Sequence, residues 1–172
     1  MKTGFVSAIL PELSLEELAD YASGLGYQCI EVCCWPVGKA ERRYSGVTHI
    51  DVDTLDQARA DYLNNYLRSR GIEISALGYY PNPLDPDEEK RAFYADHIRK
   101  VIDASVMLGI NRINTFIGKD KNRNIEGNFE LFRMVWPSII RYAEDRHVKV
   151  GIENCPMIFT DDEWPGGCNL AT

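Results

Sequence analysis

The residue of this chain with the most chemistry to offer is Glu153. It ends an apolar run, Val148 to Ile152, of the kind carried by a strand covered on both faces. A carboxylate in such a place is costly unless hydrogen bonds or a cation compensate it. Divalent ions such as Mg2+ and Mn2+ favour carboxylate oxygens, so one reading is a metal ligand. The other is a carboxylate that caps a loop or pairs with an arginine. Further residues stand where β-rich runs pass into polar connections: Glu31, Trp35, His49, Tyr79, Asn114 and Asn154. Glu31 suits hydrogen bonding to ligand hydroxyls, or an ion pair with Arg42 or Arg43. His49 lies in a long connection that could touch a ligand. Asn114 and Asn154 can donate amide hydrogen bonds, to a ligand or to their own loops. Trp35, Tyr79 and Trp164 suit stacking on a ring face, or plain packing.

The elements that must position these residues alternate regularly. Strands are expected over Gly4 to Ile9, Gln28 to Cys34, Glu73 to Leu77, Arg112 to Ile117 and Val148 to Glu153. Helices fill the intervals. Ser14 with Glu17 forms a capping box ahead of a stripe of Leu15, Leu18, Ala22 and Leu25. A second helix is expected from about Asp53, burying Leu55, Ala58, Tyr62, Leu63 and Tyr66 and stopping at Gly71. Asp85 as N-cap, Pro86 and Glu88 announce a third, with Phe93, Ile98, Val101, Ile102 and Leu108 on its apolar face and Gly109 as its stop. The fourth spans about Phe129 to Asp145, and Pro137 predicts a kink or a restart within it. His97 and His147 fall away from the strand ends and are assigned structural roles. Asp161, Asp162 and Glu163 are expected to form a solvated turn, or to contribute to a lid over the pocket.

Repeated βα units imply a parallel sheet, because parallel neighbours need a covering crossover. An open doubly wound sheet and a barrel both fit. The first turn, ILPELSLEE, lacks the glycines of a nucleotide-binding fold. A full barrel needs about 250 residues, and this chain of 172 residues supplies four βα units and a fifth strand. The expectation is one partial barrel domain over residues 1–172.

Composition narrows the partners. A net charge of −7 without a basic stripe argues against nucleic acid. The amino-terminal segment has neither the apolar length of a membrane span nor the pattern of a signal peptide, so a cytoplasmic protein without membrane contact is expected. Five cysteines with no CxxC spacing are expected to be reduced and mostly buried.

Two segments carry a family resemblance. VGIENCPM, residues 150–157, resembles the fifth-strand motif of the xylose isomerase-like TIM-barrel superfamily, the sugar phosphate isomerase and epimerase family, in which the Glu of an Ile-Glu-Asn run binds metal. GYQCIEV, residues 26–32, is similar to the second strand of that superfamily. The resemblance implies a (β/α)8 barrel of which this chain holds the first four βα units and strand 5. It implies Glu153 as metal ligand and catalytic carboxylate, and Glu31, His49, Asn114, Asn154 and Trp35 as substrate-binding candidates. The cofactor implied is a divalent ion, Mn, Mg, Co or Zn, and the substrate a small sugar or polyol. In the endonuclease IV-like branch, histidines end the third and fourth strands; SALGYY (75–80) and NTFIGK (114–119) hold none. That favours a one-metal isomerase or epimerase, in which the ion stabilises an enediolate formed when a carboxylate removes a neighbouring C–H proton. The family's remaining ligands come from later strands, so this chain alone is expected to be inactive. The alternatives are an endonuclease IV-like or inosose dehydratase-like member, and a non-catalytic half-barrel that binds or assembles, for instance with a second copy of itself.

Overall fold

A computed structural model describes residues 1–38 and 46–154. Arg42, Arg43, Trp164, Cys155, Cys168 and the turn Asp161 to Glu163 lie outside the described residues. The strands are β1 (Gly4–Val6), β2 (Cys29–Cys33), β3 (Glu73–Gly78), β4 (Arg112–Thr115) and β5 (Lys149–Ile152). They form one sheet in sequence order, with every neighbouring pair parallel. The helices are α1 (Leu15–Gly24), α2 (Gln57–Ser69), α3 (Glu88–Met107) and α4 (Ile125–Glu144). Sequential order with a helix in every crossover is the wall of a barrel rather than a doubly wound sheet. Among the described residues no helix is long and apolar enough to cross a membrane.

Alternation along the strands divides the sheet into two faces. Ile30 and Val32 of β2, Leu77 of β3 and Ile113 of β4 join the main apolar core with the helices, each 1 % exposed or less. Burying one such side chain contributes about 1.5–3 kcal/mol, and this layer fixes the register. The opposite face carries Glu31, Cys33, Gly78, Asn114 and Gly151, small or polar throughout.

The helix boundaries show which local signals prevailed. Ser14 and Glu17 form the expected capping box. Leu25 falls outside the stripe, in the C-cap position and 59 % exposed. The cap of α3 is Asp87 rather than Asp85: its carboxylate accepts from Glu89 N and Lys90 N, while Asp85 accepts from Asp87 N in the preceding turn. Phe93 is exposed on α3. α2 begins at Gln57, because Asp56 accepts from Arg59 N and Asp51 ties up Asp53 N in a turn of its own. Its buried stripe is Ala60, Leu63 and Leu67, so Ala58 and Tyr62 face water. β1 is shorter than expected, since Ser7–Ile9 closes into a 3-10 turn.

α4 starts four residues earlier than Phe129 and runs through Pro137 as one helix. Arg133 and Pro137 both sit on its exposed face, where water can take the carbonyl that proline leaves unpaired. Asn124 caps it, accepting from Gly127 N, and the fully buried Asn128 in its first turn clamps the loop after β4. Asn128 Oδ1 accepts from Asp120 N at 2.7 Å, and its Nδ2 faces the carbonyls of Asp120, Arg123 and Asn124. Replacing Asn128 with Ala strands these buried groups. We expect a loss of about 1–3 kcal/mol, read as a lower urea midpoint with an unchanged slope.

Candidate active site

The carboxyl ends of β2, β3, β4 and β5 bring four polar side chains together. Glu31 projects from β2 onto the inner face. One of its oxygens, Oε1, accepts from the hydroxyl of Tyr80, two residues past the end of β3. The other, Oε2, accepts from Asn114 Nδ2 of β4 at 2.7 Å. Glu153 follows β5, and its backbone N–H donates to Thr115 O at 3.0 Å, extending the β4–β5 ladder by one step. Asn114 pairs in register with Gly78 on one side and Gly151 on the other, so Tyr80 and Glu153 stand one inward tier above that row.

Two glycines make the row passable. A Cβ at Gly78 would lie 2.7 Å from Glu31 Oε1, and a Cβ at Gly151 would lie 2.3 Å from Asn114 Oδ1. Only glycine at these positions lets the carboxylate and the amide lie across the inner face. The loops above are also tied. Asn82, after β3, accepts from Lys119 N at 2.8 Å and donates to Lys119 O at 2.9 Å, joining the loop after β3 to that after β4. The rings of Tyr80 and Phe116 pack at 5.0 Å between those loops.

The electrostatics follow from two carboxylates near one another. Partial desolvation, then the charge of Glu31, hold the Glu153 carboxyl above its ordinary value of 4.5, while a hydrogen bond from Tyr80 works the other way. Burial and the same glutamates push the Tyr80 phenol far up, so it remains a proton donor at physiological pH. Burial raises the Cys33 thiol to about 11, with smaller contributions from Glu31 and Glu153. Cys33 on the inner face is therefore a neutral thiol rather than a thiolate ligand or nucleophile.

Not every expected residue joins this cluster. The expectation that Glu153 is buried fails: it is exposed, because β5 is an edge of the described sheet. Its side chain nonetheless belongs to the inner face, beside Tyr80 and Glu31. Asn154 is exposed beyond it. Tyr79 points into the helix layer, 1 % exposed, with its ring 5.0 Å from Trp35 and 4.5 Å from His97. His97 is structural as expected, its Nε2 2.8 Å from Cys34 O. His49 and Trp35 sit on the connection after β2, where Trp35 N donates to Val47 O and His49 N to Cys33 O. Trp35 Nε1 and both ring nitrogens of His49 are buried without a hydrogen bond among the described residues. The imidazole lies near the Leu10 and Leu13 carbonyls, but burial dominates and holds its proton affinity down.

Tyr80 was the residue to find, and a β-bulge hid it. Ile30 pairs with Ile74 but Glu31 with Ala76, so Ser75 is an extra residue in β3. The insertion reverses the alternation beyond it. Ala76, Gly78 and Tyr80 then face inward, and Leu77 and Tyr79 join the helix layer.

No group of three His, Cys, Asp or Glu side chains suited to a metal occurs among the described residues. Glu153 supplies one hard oxygen donor, and both oxygens of Glu31 are already engaged. Glu153 could serve as one ligand of a divalent ion, and the described residues do not by themselves complete a coordination shell. The raised Glu153 also has a consequence without metal. A carboxyl favoured in its neutral form stabilises the fold below about its ordinary 4.5, and that contribution is lost as pH rises through the raised value. Glu153→Gln should therefore melt slightly higher than the wild type at pH 7 with chelator present, the gain fading towards pH 4. A lower melting temperature at pH 7 would contradict this.

The comparisons with known proteins agree with this geometry. Residues 19–167 match the family described as xylose isomerase-like TIM barrel. The uncharacterized protein YfiH of Bacillus subtilis is 23 % identical over 145 residues, which are 82 % of this chain and 44 % of that protein. The D-psicose 3-epimerase of Clostridium cellulolyticum, solved with D-tagatose, superposes with a TM-score of 0.63 at 15 % identity, over 88 % of this chain and 52 % of that one. An IolI protein with a bound zinc atom superposes with a TM-score of 0.60 at 16 % identity, over 88 % and 51 %. At such identities the structural likeness speaks for the fold. The chain spans about half the length of these relatives. It belongs to the xylose isomerase-like TIM-barrel family, of whose (β/α)8 barrel it forms strands one to five.

Proposed function

We propose that this chain carries the amino-terminal half of a sugar or polyol isomerase or epimerase site, with Glu153 as divalent-metal ligand and as the carboxylate that moves the substrate proton. The observation that carries the reading is the position of Glu153: at a strand's carboxyl end, on the inner face, where partial desolvation and then a second carboxylate raise its proton affinity. Active sites of this fold gather at that end. Two carboxylates close together on that face also favour a bound cation, whose charge would answer both.

A divalent ion bound there would polarise the substrate carbonyl and acidify the neighbouring C–H group. Glu153 then takes the proton, and its return to another position or face gives an isomer or epimer. Glu31, held between Tyr80 and Asn114, stands beside the base. Trp35 and His49 stand on the connection after β2 with their ring nitrogens buried, so contact with a substrate would need that connection to open. Asn154 stands next to Glu153 and is open to ligand. The zinc in the IolI structure and the sugar in the epimerase structure support this reading as analogies.

Proton exchange with solvent tests it apart from any single product. In deuterium oxide with Mn2+, and with this half-barrel joined to strands that complete the barrel, ketohexoses and inosose-type polyols should gain deuterium at the carbon next to the carbonyl, followed by nuclear magnetic resonance. Glu153→Gln should lower that rate by about two to four orders of magnitude. Loss of water from the polyol would identify a dehydratase of the same family instead. Calorimetry should show Mn2+ binding to the chain; no binding, together with no exchange, would end the enzymatic reading.

A further inference from the structure

The two ends of the Asn114 amide have different surroundings on the inner face. Nδ2 donates to Glu31 Oε2 at 2.7 Å, while Glu31 Oε1 accepts from the Tyr80 hydroxyl. With both Glu31 oxygens accepting, the amide cannot turn around without setting oxygen against oxygen. Its other end, Oδ1, lies over Gly151 of β5, 2.3 Å from where a Cβ would stand. No donor among the described residues reaches this oxygen, and the half-buried side chain leaves it open to the inner face. Glu153 follows Gly151 by two residues, a rise of about 7 Å along the strand.

We propose that Asn114 is a specificity-determining residue of this site: its Oδ1, turned outward by Glu31, accepts from a neutral hydroxyl of the substrate and disfavours a phosphate or carboxylate group there. This rests on the reading of the inner face as a sugar or polyol site, and it narrows the substrate to one with a free hydroxyl near the carbon that loses its proton. An outward amide oxygen gains from a donor and repels another acceptor, so it separates a hydroxyl from an anionic oxygen of similar size. Glycine at 151 keeps that oxygen uncovered, and Glu31 acts through the amide without touching the ligand.

The test has two arms, with folding of every variant checked by circular dichroism. In the chain itself, the side-chain amide protons of Asn114, followed by nitrogen-edited nuclear magnetic resonance, should exchange more slowly in the wild type than in Glu31→Gln. Equal exchange would overturn the proposal, since nothing would then hold the amide. The second arm uses the chain joined to strands that complete the barrel, with Mg2+, and calorimetry on D-fructose and its monodeoxyfluoro analogues, because fluorine in place of a hydroxyl cannot donate. At one position the analogue should bind the wild type about 3- to 10-fold more weakly than D-fructose does. That difference should vanish in Asn114→Ala. Glu31→Gln combined with Asn114→Asp reverses donor and acceptor across the pair and still leaves an oxygen over Gly151, so the difference should return there. Differences that Asn114→Ala leaves unchanged at every position would overturn the proposal while the sugar site stands. A wild type that binds no D-fructose would overturn it together with the reading of the site.

Discussion

Two glutamates from β2 and β5 share one side of a parallel sheet, and their mutual repulsion is the constraint around which the rest is arranged. Like charges at short range on a partly desolvated face are unfavourable unless donors or a cation answer them. Here the donors are a phenol and an amide, from β3 and β4, the two strands lying between. The glycines at 78 and 151 follow from the same constraint. A side chain at either would occupy the space that the carboxylate and the amide need. Small residues on the inner face are thus the clearance of a polar network, while the main apolar core sits on the helix side.

The loops have a matching division of labour. Asn82 and Asn128 are both amides that replace missing backbone partners, the first between two loops and the second within one. Their hydrogen bonds hold the backbone on either side of Tyr80 and Phe116 without using any group of the site. Rigid support around a site that must hold a carboxylate in one direction is what a ligating geometry requires.

Much of this was legible from residues alone. The βα order, the capping box at Ser14 and the stops at Gly71 and Gly109 followed from periodicity and capping, and Glu153 from its place after an apolar strand. What was not legible depended on contacts distant in sequence. A single inserted residue at Ser75 exchanged the roles of Tyr79 and Tyr80, and nothing local to SALGYY announces it, since the pairing with Glu31 defines the bulge. Competing caps at Asp85 and Asp87 are locally equivalent, and the three-dimensional choice fell to the residue whose carboxylate reaches two free N–H groups. Asn128 fell before the expected helix start at about Phe129, yet it lies buried in the first turn of α4 and clamps the preceding loop.

The exposure of Glu153 can be understood in the same terms. β5 has one ladder partner among the described strands, and its outer edge is open. In a closed barrel every strand has two partners, and the inner face is shut off from water by the strands opposite. Covering β5 would remove solvent from both glutamates at once. It would strengthen their repulsion and the contact with Tyr80 together, because each scales inversely with the local dielectric. The polar network is therefore least strained as described and most in need of a cation when the barrel is closed. Under the proposed reading of Glu153 as a metal ligand, closure of the barrel would raise the demand for positive charge there.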